Sequence, residues 1–217
     1  MTPTYSDRTD ERRNMPVKLG ITGGVGSGKS FVCNCLKEKG LRVVSADELA
    51  RKAVSPGTPA YDKIVDYFGK DILSDDGTLD RKKLRGIITR DKEKKQMLEQ
   101  FVHPEVFLQM DAAVQKSIQQ RDPVIAVEVP LLFETGMEVF FDYVLTVSLE
   151  PDLRVQRIMA RDQIARAEAE ALMKIQMPEA EKIKKSDFVI DNNGTIGQTR
   201  ISIDRFYENF KNQVKLD

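Results

Sequence analysis

The chain has 217 residues, and its 34 Lys plus Arg are balanced by 34 Asp plus Glu, so the formal net charge is zero. This length supports a domain with a real core, while the charge balance excludes steering to nucleic acid by a bulk field and leaves only a local basic patch for that purpose. No apolar run approaches the length of a membrane-spanning helix, and two cysteines are too few for a disulfide scaffold, so the composition points to the cytoplasm with no membrane or nucleic-acid partner.

Residues 1–15, MTPTYSDRTDERRNM, are polar and aperiodic. They lack the apolar core of a secretory signal and read as a disordered leader, with a single domain over 16–217. VKLGI (Val17 to Ile21) has the pattern of a short buried strand. Gly28 to Lys39 follows as a helix with Phe31, Val32, Cys35 and Leu36 on one face and Gly40 as its stop. LRVVS is a second strand, and DELARKAV a short helix ended by Ser55-Pro56-Gly57. From Tyr61 to Ser117 the signal is nearly all helical, with turns at Gly69 and in SDDGT. PVIAVEVP and YVLTVSL are apolar and β-branched, as strands buried on both faces of a parallel sheet are. DLRVQRIMARD and ARAEAEALMKIQ are charge-rich helices, DFVI is a last strand before DNNG, and Ile196 to Phe210 forms a closing helix. Strands alternating with helices give an α/β fold whose parallel sheet is flanked by helices. The chain contains no repeat and no low-complexity tract.

Cys33 and Cys35 are two apart on one helix and do not face each other. They are read as small core residues, not as a disulfide or a zinc pair.

Four glycines, Gly23, Gly24, Gly26 and Gly28, fall in six positions between the first strand and the first helix. Gly23 to Ser30 fits G-x-x-x-x-G-K-[ST], the P-loop pattern. Glycines let successive backbone N–H groups point at phosphate oxygens, and the helix start adds the positive end of its dipole. Lys29 supplies a mobile cation, and the Ser30 hydroxyl is a ligand for Mg²⁺. Nucleotide binding is therefore expected on Gly24, Val25, Gly26, Ser27, Gly28, Lys29, Ser30 and Phe31. No N-K-x-D stretch follows a strand, which removes GTPase-type base recognition.

Other candidates lie at strand ends, where ligands gather in open α/β sheets. Asp47, just after the second strand, either takes a proton from an acceptor hydroxyl or caps the following helix, and the two roles are compatible. Glu128 is a charge in an apolar strand. It either holds a Mg²⁺-bound water or pairs with a nearby cation. Arg157 and Arg161, four apart on one helix face, either close on the phosphates or form a solvated face paired with Asp152 and Asp162.

Several segments in order resemble the dephospho-CoA kinase family: GITGGVGSGKS, SADELARKAV, DGTLDRKKL, HPEV, VPLLFETG, QRIMARD and VIDNNG. The resemblance implies a P-loop NTPase fold with a helical substrate subdomain at about 61–117 and a lid at about 152–181. It implies transfer of the γ-phosphate of ATP to the 3′-hydroxyl of dephospho-CoA, with ATP and Mg²⁺ required and Asp47 activating the hydroxyl. It places Asn192 near the nucleotide base and Asp47, Arg81, His103, Leu131 and Glu134 at the acceptor, with Lys29, Asp47, Arg157 and Arg161 catalytic and Ser30 and Glu128 at the metal. The residue readings of Arg81 as a lone surface cation and His103 as a structural hydrogen-bonding group stand beside these. Two positions depart from the family pattern. Ser45 stands where the family has a first acid, and Arg154 stands where it often has Gln, which adds a cation to the lid. The alternatives are another small-metabolite or nucleotide kinase and a nucleotide-gated protein without turnover. Oligomeric state is left open.

Overall fold

Strand β1 (Val17–Gly23) is buried along most of its length, with Leu19 and Ile21 fully enclosed. A strand enclosed on both faces must also pair its backbone N–H and C=O groups along both edges. β1 pairs in parallel with β3 (Val124–Glu128) on one side and with β4 (Tyr143–Ser148) on the other. β2 (Arg42–Ser45) and β5 (Phe188–Asp191) complete a five-stranded parallel sheet of order β2-β3-β1-β4-β5. The structure is a computed structural model and describes residues 15–215. The expected leader lies, apart from Met15, outside the described residues.

The chain forms two units, one comprising the chain up to Ser45 and from Lys116 onward, the other Ala46–Gln115. In the first, helix α1 (Lys29–Glu38) buries Val32, Cys33, Cys35 and Leu36. Gly40 at φ +90 ends it, with Leu41 N–H bonded to Leu36 O and Gly40 N–H to Lys37 O, the two bonds of a Schellman stop. The C-terminal helix runs to Val214, four residues beyond the expected end, because Val214 continues the apolar face of Tyr207 and Phe210 against the core. Phe188, Phe206, Phe210 and Tyr143 form an aromatic group there, their rings 5.2 to 5.8 Å apart. Burying the enclosed Phe206 and Phe210 rings is worth about 1.5–3 kcal/mol each over exposure.

The second unit opens with α2 (Ala46–Ala53) and α3 (Pro59–Phe68). Thr58 caps α3 by accepting from Tyr61 N–H, with Pro59 at the first helical position. A 3₁₀ turn at Lys70–Ile72 precedes α4 (Arg81–Arg90), capped by Asp80, and the long α5 (Lys92–Gln120). Ile64, Ile72, Leu79 and Leu84 are its core. The rest of the first unit contains α6 (Pro151–Asp162), α7 (Arg166–Lys174), α8 (Glu179–Lys185) and α9 (Ile196–Val214). α8 and a 3₁₀ turn at Met137–Phe140 escaped the sequence reading, because each is too short to show a period. No helix among the described residues is long and apolar enough to cross a membrane.

Candidate active site

The loop between β1 and α1 leaves the C-terminal end of the central strand. Its glycines are forced by close approach. Gly28 sits at φ +94, and a Cβ there would strike Nδ2 of Asn192 and come within 3.2 Å of Nη1 of Arg157. Gly24 lies against the Arg154 guanidinium, which leaves no room for any side chain.

An account of the loop's N–H groups locates the anion site. Val25 N–H donates to Oε1 of Gln176 at 2.8 Å, Ser27 N–H to Gly24 O, and Phe31 N–H to Gly28 O. Among the described residues, the N–H groups of Gly26, Gly28, Lys29 and Ser30 have no acceptor, and the enclosed Ser27 Oγ has no partner. The Ser27 hydroxyl is buried, and buried polar groups are rarely left in this state. The four N–H groups, half-buried at Gly26, Gly28 and Lys29 and exposed at Ser30, are the unsatisfied donors of a helix start, and together they make a receptor for phosphate oxygens. Of the eight residues expected to bind nucleotide, Val25, Ser27 and Phe31 thus have their N–H groups engaged in holding the loop's shape. Gly24 accepts from Ser27 N–H and from Lys29.

The Lys29 ammonium donates to Gly23 O at 2.9 Å and Gly24 O at 3.1 Å. Burial lowers its pKa to about 8. Glu128 acts in the opposite sense, and Lys182 and Arg154 lower it further. A desolvated cation resting on carbonyl dipoles stands to gain from an arriving polyanion.

Glu128, the last residue of β3, pairs in register with Ile21 on one side and Ser45 on the other. Its Oε1 accepts from the Ser30 hydroxyl at 3.3 Å. The Cys33 thiol is buried close to Glu128; burial first and the charge of this carboxylate second push that thiol up to about 12. Of the two readings of Glu128, the structure gives it the Ser30 hydroxyl as partner, with no ion pair among the described residues. Ser30 and Glu128 are hard oxygen donors at the loop mouth, the ligand type that Mg²⁺ takes when phosphates complete its shell, so the residues present fit that ion.

Asn192 follows β5 and is buried. It donates from Nδ2 to Ser27 O at 2.7 Å and accepts at Oδ1 from Thr199 at 2.8 Å. Both functions of its amide are therefore spent on the protein, supporting the P-loop from behind.

On α6, Arg157 is exposed beside Gly28 and makes no hydrogen bond or ion pair among the described residues. Arg161 instead forms a two-pronged pair with Asp162, both contacts 2.7 Å, while Asp152 pairs with Arg166. The solvated-face reading thus describes Arg161, and Arg157 stays uncommitted. Arg154 is not a free lid cation. It is 5% exposed and bonded to Val25 O at 3.1 Å and Glu179 at 2.7 Å.

Glu134 accepts from Met177 N–H at 2.8 Å and pairs with Lys182 at 2.7 Å. Burial raises its pKa, but the Lys182 and Met177 donors outweigh that, and the net shift is downward. Neighbouring Leu131 is exposed. In the other unit, Asp47 is exposed at the second position of α2, which begins at Ala46. Asp47 is therefore a first-turn acid on the favourable side of the helix dipole, not the cap. Arg81 is exposed at the start of α4, where Asp80 is the cap. His103 is exposed within α5, ahead of Pro104, which has no N–H to give Gln100 O.

Gln176, Glu179 and Lys182 were not singled out from sequence. Lys182 sits in EKIKK, which reads as a solvated charge run; only its complete enclosure sets it apart.

The family model for dephospho-CoA kinase matches residues 17–198. A Bacillus cereus protein named dephospho-CoA kinase is 38% identical over 196 residues, covering 90% of this chain and 98% of that protein. A crystal structure from Thermus thermophilus aligns with a TM-score of 0.77 at 32% identity, over 94% of this chain and 99% of its own. The dephospho-CoA kinase from Campylobacter jejuni aligns with a TM-score of 0.69 at 28% identity, over 90% and 98%. With the family model spanning most of the chain and the relatives matched over nearly their whole length, this chain belongs to the dephospho-CoA kinase family.

Proposed function

We propose that the four unpartnered amides and Lys29 hold the phosphates of ATP while Asp47 accepts the proton of the acceptor's ribose 3′-hydroxyl. The family's reaction is ATP-dependent phosphorylation of dephospho-CoA. In this assignment the 3′-oxygen forms a bond to the γ-phosphorus as its proton passes to Asp47. The bond from that phosphorus to the β–γ bridging oxygen breaks, and ADP leaves. Little covalent work falls to the protein, and catalysis is positioning and charge neutralisation.

Ser30 and Glu128 would hold Mg²⁺, which when bound neutralises charge on the β- and γ-phosphates. Arg157 is assigned to the transferring group and Arg161 to a supporting role on the same face. Arg81, His103, Leu131 and Glu134 are assigned to the acceptor, the Ala46–Gln115 unit to acceptor binding, and residues 152–181 to a lid. Two unpaired cysteines and an ATP donor suit a cytoplasmic enzyme.

The observation that carries the reading is the set of free donors at Gly26, Gly28, Lys29 and Ser30 beside a desolvated Lys29. The test is incubation with Mg-ATP and dephospho-CoA, with mass analysis for CoA. Acceptor-dependent ADP release with formation of CoA supports it. Binding of ATP without acceptor-dependent turnover would instead make the chain a nucleotide-gated binder.

A further inference from the structure

Val25 is held through both of its flanking peptide units. Its N–H donates to Gln176 Oε1 at 2.8 Å, and its carbonyl accepts from Arg154 Nε at 3.1 Å. Gln176 follows α7, and Arg154 is on α6, so two points of the 152–181 segment grip one residue of the P-loop. The grip is anchored further. Arg154 Nη1 pairs with Glu179 Oε2 at 2.7 Å, and Glu179 Oε1 accepts from Leu149 N–H at 2.8 Å. Met177, next to Gln176, donates its N–H to Glu134 at 2.8 Å, and Glu134 pairs with the enclosed Lys182. Gly24, which precedes the gripped peptide, has no space for a Cβ because the Arg154 guanidinium fills it.

We infer that Gln176 and Arg154 form a clamp on Val25 and are positioning residues for the phosphate cradle. Val25 immediately precedes Gly26, the first of the free donors, and the Val25 carbonyl shares a rigid peptide plane with the Gly26 N–H. Gln176 holds the plane before Val25 and Arg154 the plane after it, so the pair fixes the direction in which the Gly26 N–H points. A loop rich in glycine is otherwise costly to order, and a clamp that orders it before nucleotide arrives lowers the cost of binding. Arg154 acts here through the backbone of the loop, with its charge already matched by Glu179, so it is not a phosphate ligand. The position where the family often has Gln thus carries, in this chain, an arginine that reaches a carbonyl and a carboxylate at once, a geometry its forked guanidinium allows and lysine does not.

The test reads nucleotide affinity apart from chemistry. This inference rests on the P-loop holding the nucleotide, so ADP binding to the unaltered protein is measured first by calorimetry. Its absence would remove the P-loop assignment itself. Gln176→Met keeps the side-chain length and removes the acceptor. Loss of one hydrogen bond of ordinary strength predicts a rise of about three- to tenfold in Kd for ADP and KM for ATP, with kcat and KM for dephospho-CoA unchanged. Arg154→Lys keeps the charge opposite Glu179 but cannot hold both partners, and is expected to give the same pattern. In the double variant the two effects should fall short of their product, since both act on one residue. If Arg154→Lys melts early, Gln176→Met decides alone. A folded Gln176→Met protein with unchanged Kd overturns the clamp, and so does tighter ADP binding, which would mean that Gln176 is a contact the nucleotide must displace.

Discussion

At the scale of single residues, the two groups that matter most differ in how their environment treats them. Lys29 is desolvated and its pKa stands near 8. A bound polyphosphate favours the ammonium and raises that value, so nucleotide binding above pH 8 must take up a proton. Affinity for ADP is therefore expected to fall as pH rises from about 7 to about 9, across this pKa and well below that of a free lysine. Calorimetry in buffers of different ionisation enthalpy reads the proton directly. Lys29→Ala should bind ADP weakly, lose turnover and take up no proton, while keeping its fold, because the ammonium touches only loop carbonyls. A pH-independent Kd in the unaltered protein would contradict the desolvated cation. Asp47 is the opposite case, an exposed carboxylate in the first turn of α2. Asp47→Asn keeps shape and loses basicity. Removing a general base predicts a kcat lower by roughly 10²- to 10⁴-fold, with KM for ATP little changed and thermal stability slightly reduced by the lost charge–dipole term. Wild-type kcat would leave Asp47 as a helix-start acid and send the search to Glu128.

Elements set where these residues stand, and one loop contact shows how a strand at the sheet's edge supports the centre. Asn192, beyond β5, joins Ser27 O to the Thr199 hydroxyl at the head of α9. Asn192→Ala would leave a buried carbonyl and a buried hydroxyl without partners, costing about 1–3 kcal/mol each at most. In a domain of this size that lowers Tm by roughly 2–4 °C per kcal/mol, and KM for ATP should rise with it, because Ser27 lies inside the P-loop. A drop in Tm with unchanged KM would confine Asn192 to the fold. The DNNG segment was visible in the sequence, yet its side chain is turned to the protein's own backbone, which no turn propensity reveals. The same limit hid α8 and the Met137–Phe140 turn. The start of α8 is held by Arg154 and Leu149, which meet Glu179 from 25 and 30 positions away. Strong local periods did fix β1, β3, β4, α1 and α9, whose apolar faces are long enough to speak for themselves.

For the molecule as a whole, the sheet order explains why short motifs scattered over the chain were legible together. In a parallel sheet every strand ends on the same edge. The loop after β1, Glu128 at the end of β3, Arg157 after β4 and Asn192 after β5 therefore arise from the same edge of one unit. What the sequence left hidden is the network that holds those parts, Gln176, Glu179 and Lys182, since polar residues in a charge-rich stretch look alike until their partners, and for Lys182 its enclosure, distinguish them. The P-loop, Glu128, Arg157 and Asn192 thus belong to that one unit, while Asp47, Arg81 and His103 belong to the other. A cradle for phosphates is common to many kinases, so acceptor choice must come from residues outside it. Dephospho-CoA is expected to be phosphorylated well, and AMP, adenosine and shikimate much more poorly, in a panel read by ADP release and product mass under one Mg-ATP concentration. Arg81→Ala and His103→Ala should each raise KM for dephospho-CoA while leaving KM for ATP alone, because neither residue is in the unit that bears the P-loop. If AMP turns over as fast as dephospho-CoA, the P-loop chemistry stands and the acceptor assignment falls. If both alanine variants keep the wild-type KM for dephospho-CoA, the acceptor is held by other residues, with Leu131 and Glu134 the next to be replaced.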